Sequence, residues 1–206
     1  MDNSVQLIGW YGGDEVNACS AWTSTSRELT EEKRNRIPNL LKMLADNGHE
    51  TPFEKSTVHF LVNTDIASHI HLLKHRISSL NAESARYKEL KEDKYYIPTD
   101  WPLYWQQVLA DYTIKGNDLY HECLQKLEEA GIDRKRAKES ARFFKTYNSQ
   151  IQADVMFNWR SFVNFQILRN SEHAQVEIRD IAQKMLDCVK HIEGNPFEHT
   201  LKAFNL

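Results

Sequence analysis

Two stretches of alternating hydrophobicity, far apart in the chain, constrain the fold most. From Lys55 to Val62, the side chains Val58, Phe60 and Val62 share one face. From Gln150 to Asn158, so do Ile151, Ala153, Val155 and Phe157. A period of two marks a strand with one buried face. Strands so distant meet only in a sheet closed by long connections, and the residues around them read mostly as helix. That combination favours an α+β fold over a helical bundle.

Helix signals fill the rest. Thr30 to Asn47 opens on a capping threonine, carries Glu31 and Glu32 at its positive end and leaves at Asn47-Gly48. Pro38 predicts a kink or break inside it. Thr64-Asp65 caps an apolar-periodic stretch, Ile66 to Leu73. Trp101 to Ala130 reads as helical with a break at Lys115-Gly116-Asn117, and Arg134 to Lys145 as another helix. Ser161 to Leu168 reads as a short helix, and Ser171 as the cap of a long one carrying Val176, Ile181, Met185, Cys188 and Ile192. Val5 to Tyr11 reads as a short opening strand. No repeat or linker interrupts the 206 residues, so one domain is expected.

Composition narrows the function classes. A net charge of −3 gives the whole chain no pull toward nucleic acid or an anionic membrane. No run approaches the roughly 18–20 apolar residues of a membrane span. The opening residues, Met1 to Gly13, lack the basic and apolar regions of a secretory signal. Cys19, Cys123 and Cys188 are far apart, which fits a reducing compartment such as the cytoplasm better than a disulfide scaffold. Any anion site must therefore be a local cluster of cations.

One segment supplies such a cluster. Lys74-His75-Arg76-Ile77-Ser78-Ser79-Leu80-Asn81-Ala82-Glu83-Ser84-Ala85-Arg86-Tyr87 follows an apolar helical pattern. Its serines and asparagine favour a turn or loop over continued helix. Such a loop can fold around phosphate, with arginine offering a planar fork. Taken by composition, a solvated basic turn explains it equally well. His71 and His75, at i and i+4, invite a zinc reading, but no third ligand has convincing spacing, so no metal is expected.

The order of residues is more specific. His75-Arg76, then Ser84, Arg86 and Tyr87, resembles the signature of the flavin-dependent thymidylate synthases. Three further segments follow that family's order. They are Gly48-His49-Glu50-Thr51-Pro52-Phe53-Glu54; Asn158-Trp159-Arg160-Ser161 with Asn164-Phe165; and Leu168-Arg169 with His173-Ala174-Gln175 and Glu177-Ile178. The resemblance covers roughly residues 18 to 190. It implies a central sheet with flanking helices, a homotetramer with shared active sites, and FAD as cofactor. It also implies methylenetetrahydrofolate and NADPH as co-substrates and a nucleotide like deoxyuridine monophosphate (dUMP) as the acceptor.

By motif position, the resemblance places Ser24, Thr51, Glu54, Lys74, His75, Arg76, Ile77, Asn158, Arg160, Asn164 and His173 toward FAD. It places His71, Ser84, Ala85, Arg86, Arg142 and Arg169 at the nucleotide. Arg169 and His49 take the catalytic positions, His49 near flavin and folate. For each arginine alone, a surface salt bridge is the plain alternative; for His49, it is capping of the preceding helix.

The chain also departs from the pattern. Lys74 replaces an arginine and loses its fork. Ala82 stands where glutamate is common, and His71 where a nucleotide-contacting glutamine is usual. Ala141 to Thr146 lacks the usual Leu-Pro after its arginine. These changes cluster near the expected nucleotide and leave open another pyrimidine nucleotide, such as deoxycytidylate, or hydroxymethylation. A non-catalytic nucleotide-binding module is the alternative from a different class.

Overall fold

The computed structural model describes residues 2–206. In chain order the elements are β1 (Ser4–Tyr11), α1 (Asp14–Trp22), α2 (Glu31–Asp46), a 3-10 turn at Thr51–Lys55, β2 (Thr57–Asp65), α3 (Ile66–Lys74) and β3 (Ser78–Ala82). Then come α4 (Leu103–Glu129), α5 (Arg134–Ala141), a 3-10 turn at Arg142–Phe144, β4 (Gln150–Asn158), α6 (Trp159–Arg169), α7 (Val176–Lys190) and α8 (Glu198–Ala203). The strands form one antiparallel four-stranded sheet in the order β1-β2-β4-β3. The two strands legible from alternation, β2 and β4, are its central pair. Val58, Phe60 and Val62 are fully buried, as are Ala153, Val155 and Phe157.

The chain divides into two compact units, each discontinuous in sequence. One comprises Asn63–Leu73 and Asn81–Ala153, with the tip up to Asn3; the other comprises Ser4–Val62, Lys74–Leu80 and Asp154–Leu206. They are called here the α4–α5 unit and the α6–α7 unit. In the α6–α7 unit, α7 lies on β1 and α6, and α2 lies on α1 and α8. Trp159 stacks on Phe197 at 4.4 Å, and Phe157, Phe162 and Phe165 extend the aromatic core. In the α4–α5 unit the two helices pack through Tyr120, Leu124, Ala137 and Ala141.

Local chemistry explains the elements, including those misjudged from sequence. Thr30 caps α2 by accepting from the Lys33 N–H. The helix nevertheless runs through Pro38 unbroken, its neighbours Ile37, Leu41 and Leu44 buried along one face. Helix α4 likewise continues through Gly116. A Cβ there would lie 2.7 Å from the Phe144 carbonyl, so this glycine allows close packing rather than a break. Asp65 Oδ1 accepts from the Ser68 N–H at 2.8 Å, starting α3 as expected. Ser171 does not cap α7; that helix starts at Val176, after Gln175. Ser78–Ala82, expected as loop, is an edge strand instead: pairing with β4 outweighs the turn preference of its serines and asparagine.

Candidate functional site

In the α6–α7 unit, the His75 segment meets the start of α6 through Ser161, and the Glu50–Glu54 segment meets it through Arg160. Helix α3 ends at Lys74, and Ile77 then takes φ +63°, a left-handed conformation that a β-branched residue rarely adopts. The reversal turns the chain into β3 and leaves the Ile77 side chain 76% exposed. Strain of this kind persists only where the surroundings over-determine it. His75 supplies that constraint. It is 5% exposed, lies edge-on to Phe157 and Phe165, and bonds through Nε2 to the Ser161 carbonyl at 3.0 Å. Burial, reinforced by the nearby Arg169 charge, holds its pKa below the usual histidine value. His75 therefore anchors the turn with its ring and has only its backbone to present outward. Lys74 and Arg76 on either side are exposed and have no ion-pair partner among the described residues.

Arg160 stands in the first turn of α6, which Asn158 caps by accepting from the Ser161 N–H. Its Nε donates to Glu50 Oε2 at 2.7 Å and its Nη1 to Glu54 Oε1 at 2.8 Å. The rest of the guanidinium fork stays open. Asn164 follows one turn later on the same exposed face, with Leu168 beyond it. At the end of α6, Arg169 is half-buried, and its Nε is buried without an acceptor. A guanidinium left this way is short of a polar partner. His173 is exposed in the connection to α7. His49 is also exposed: its backbone N–H bonds the Leu44 carbonyl at 2.8 Å, with Gly48 at φ +67°. The backbone thus closes α2 and leaves the imidazole outside. Thr51 is exposed at the start of its 3-10 turn, and Ser24 bonds the Ala21 carbonyl just after α1.

The other motif residues lie in the α4–α5 unit. Ser84 organises a turn: its carbonyl accepts from the Tyr87 and Lys88 N–H groups, and its hydroxyl from the Arg86 N–H. Ala85 is half-buried within this turn. Arg86 reaches over the Tyr87 ring and is ion-paired with Glu139 of α5. Arg142 is exposed just past α5, without an ion-pair partner among the described residues. His71 is half-buried on α3. A cavity of about 450 Å³ opens in this unit, between the stretch Lys88–Lys94 and the start of β4. None of the sequence-predicted residues lines it.

Four structural partners escaped sequence reasoning: Glu50, Asp93, Glu139 and Lys145. Each is an ordinary charged residue whose role depends on an oppositely charged partner far away in sequence, so local pattern carried no signal. Among the described residues, no group of three or more His, Cys, Asp or Glu could hold a metal ion.

The donor set suits a flavin dinucleotide. Unpaired Lys74 and Arg76 can meet a pyrophosphate. Arg160 is compensated by two carboxylates, so it suits the polar edge of a neutral ring better than a dianion. The acceptor-deficient Arg169 Nε calls for one more polar partner.

Residues 6–193 match the family Thy1, described as thymidylate synthase complementing protein. A protein of Pseudothermotoga lettingae named flavin-dependent thymidylate synthase is 32% identical over 191 residues, covering 91% of this chain and 85% of that one. One of the same name from Thermotoga neapolitana is 32% identical over 183 residues, covering 86% and 81%. A solved structure from Streptomyces cacaoi, a UMP/dUMP methylase bound with 5-Br dUMP, superposes with a TM-score of 0.79. It is 25% identical and covers 99% of this chain and 95% of its own.

Proposed function

The chain belongs to the Thy1 family of thymidylate synthase complementing proteins, and we propose that it is a flavin-dependent thymidylate synthase. It converts dUMP to dTMP, with methylenetetrahydrofolate as one-carbon donor and NADPH as reductant. The observation that carries this reading is the family match over residues 6–193, joined by curated relatives of that name at 32% identity. FAD, when bound, supplies the hydride chemistry. The protein's part is to bind, orient and stabilise charge.

Lys74, Arg76 and the backbone around Ile77 hold the phosphates of FAD. Arg160, set by Glu50 and Glu54, addresses the polar edge of its ring, together with Asn158 and Asn164. Thr51, Ser24, His75 and His173 complete the cofactor set. Ser84, Ala85, Arg86, Arg142 and His71 hold the nucleotide. Arg169 offers its buried Nε to the nucleotide, and His49 keeps its exposed imidazole for the flavin and folate side.

The enzyme works as a homotetramer with shared sites. Exposed Leu103, Tyr104 and Trp105 on α4 support this, as an apolar surface that another copy can cover. No helix among the described residues is long and apolar enough to cross a membrane. The three free cysteines suit the cytoplasm.

A second reading keeps the scaffold and changes the pyrimidine. His71 replaces the usual nucleotide-contacting glutamine and Ala82 a common glutamate, and the solved Streptomyces neighbour is a UMP/dUMP methylase. The test is anaerobic turnover with FAD, methylenetetrahydrofolate and NADPH, offering dUMP, UMP and deoxycytidine monophosphate in parallel. Methylated product from dUMP alone supports the first reading. Product mainly from another nucleotide moves the assignment to the second, and a flavin-free protein without product overturns both.

A further inference from the structure

The chain between β3 and the Tyr95 bridge is irregular for a dozen residues, Glu83 to Lys94, and it carries Ser84 and Arg86. A loop of that length must be held at both ends to present two side chains in one geometry. Its near end is held by β4: the Glu83 N–H bonds the Gln152 carbonyl at 2.8 Å, and Glu83 Oε2 accepts from the Gln152 N–H at 3.0 Å. Along its middle the contacts reach α4 and α5. Lys138 Nζ donates to the Tyr87 carbonyl, Arg134 pairs with Glu89, and the Leu90 N–H donates to the Tyr120 hydroxyl. The one ion pair among these has its arginine at the surface, where such a pair contributes little.

The far end is different. Asp93 takes φ +48°, a conformation that aspartate tolerates better than most residues but that still needs support. Its carboxylate accepts from Lys145 Nζ at 2.5 Å and from His121 Nε2 at 2.9 Å. The Lys145 side chain is only 4% exposed. The same ammonium donates to Asn117 Oδ1 at 2.8 Å and sits 4.5 Å from the centre of the fully buried Tyr120 ring. Burial pushes the Asp93 carboxyl up, but the hydrogen bonds from Lys145 and His121 outweigh it and hold the pKa below the usual aspartate value. Detaching Asp93 leaves a cation stranded away from water, an expensive state. The adjacent Lys94 carbonyl accepts from the buried Gln150 N–H at 2.9 Å, so the far end is tied both by the main chain and by this buried charge.

We propose that the Lys145–Asp93 pair is a positioning device: it fixes the far end of the Glu83–Lys94 loop, so that Ser84 and Arg86 meet the nucleotide in one geometry. The proposal rests on the reading of Ser84 and Arg86 as nucleotide-binding. Neither Lys145 nor Asp93 touches the nucleotide. They act through the loop, by raising the fraction of molecules in the binding-competent arrangement.

The test uses FAD-loaded protein and three variants, Lys145→Met, Asp93→Asn and the double variant, with Arg86→Ala as control. Each single variant is expected to raise the Kd and KM for dUMP about tenfold, as a competent fraction falling to about a tenth requires. FAD affinity and kcat at saturating dUMP stay within about twofold. The double variant is no worse than the weaker single one, because the two side chains act as a unit. It also carries the test should a single variant fail to fold, since it strands no charge. Unchanged dUMP affinity in the anchor variants, with Arg86→Ala weakened, overturns the positioning role alone. An unchanged Arg86→Ala overturns the reading of the loop and the proposal with it. Equal loss of FAD and dUMP in the folded anchor variants marks a merely structural pair and also overturns it.

Discussion

The motif Lys74–Tyr87 supplies both the turn Lys74–Ile77 and the first residues of the loop Glu83–Lys94, yet the two are held by different physics. The turn hangs on a buried aromatic contact: His75 sits against Phe157 and Phe165, with one hydrogen bond to a main-chain carbonyl. The loop hangs on charges: Arg86 on Glu139, Glu89 on Arg134, and Asp93 on Lys145. Packing fixes a geometry regardless of salt, whereas surface pairs such as Arg86–Glu139 can exchange partners, an exchange from which the buried Lys145 shields its pair with Asp93. A tightly held cofactor suits the first kind of support, and a substrate that enters and leaves at every turnover suits the second.

The contrast breaks most completely at His75. His75→Ala removes a ring from the core and leaves the Ser161 carbonyl without its partner. It is expected to cost about 3 kcal/mol of stability, the scale of a large-to-small core change, and to release FAD from the purified protein. Thermal melting and the flavin absorbance of the dialysed variant check this. A stable variant that keeps its flavin contradicts the anchoring role.

Arg169→Ala acts on the ligand rather than on the fold. A charge-assisted hydrogen bond contributes about 1.5–3 kcal/mol, so nucleotide affinity is expected to fall by more than about tenfold while FAD is retained. Titration of dUMP into the FAD-loaded variant measures it. Unchanged affinity removes Arg169 from the nucleotide site.

Acid offers a gentler probe of the turn. Burial lowers the pKa of His75, and also that of His69, from the ordinary value of about 6.5. Below that value the unfolded chain binds more protons than the folded one. Stability is therefore complete above about pH 6.5 and declines as pH falls through it. Denaturant melts from pH 8 to pH 5 should show this slope, and His75→Gln should flatten it. Parallel slopes in the two proteins would show that His75 is not buried neutral.

The smallest effect is expected at the cysteines. Cys19, Cys123 and Cys188 are free and half-buried, and burial pushes the Cys188 thiol up, away from the thiolate. Replacing all three should leave methyl transfer within about tenfold of the parent, at roughly 1 kcal/mol of packing per site. A folded, FAD-loaded triple variant without turnover would falsify the thiol-free reading.

Much of this architecture could be read from local pattern. The central strands announced themselves by alternation, and Thr30 and Asp65 cap α2 and α3 as their positions predict, while Asn158, expected only as the end of a strand, also caps α6. Two of the errors arose where a distant partner overrules local preference. Gly116 serves the Phe144 carbonyl, and β3 forms because β4 offers it a ladder. In the site, sequence order identified candidate positions but could not say what holds them. Glu50, Glu139, Asp93 and Lys145 act across long stretches of chain, where no spacing rule reaches. Nor could sequence foresee that His75, placed toward FAD by its motif, would turn its ring into the core.

The separation of cofactor and nucleotide supports is tested most directly by equilibrium binding to two variants side by side, Arg76→Ala titrated with FAD and FAD-loaded Arg86→Ala titrated with dUMP. The expected result is a loss of at least about tenfold in FAD affinity for the first and in dUMP affinity for the second, with Arg86→Ala keeping parental FAD affinity. Parental binding by both variants, or loss of FAD from Arg86→Ala, would contradict it.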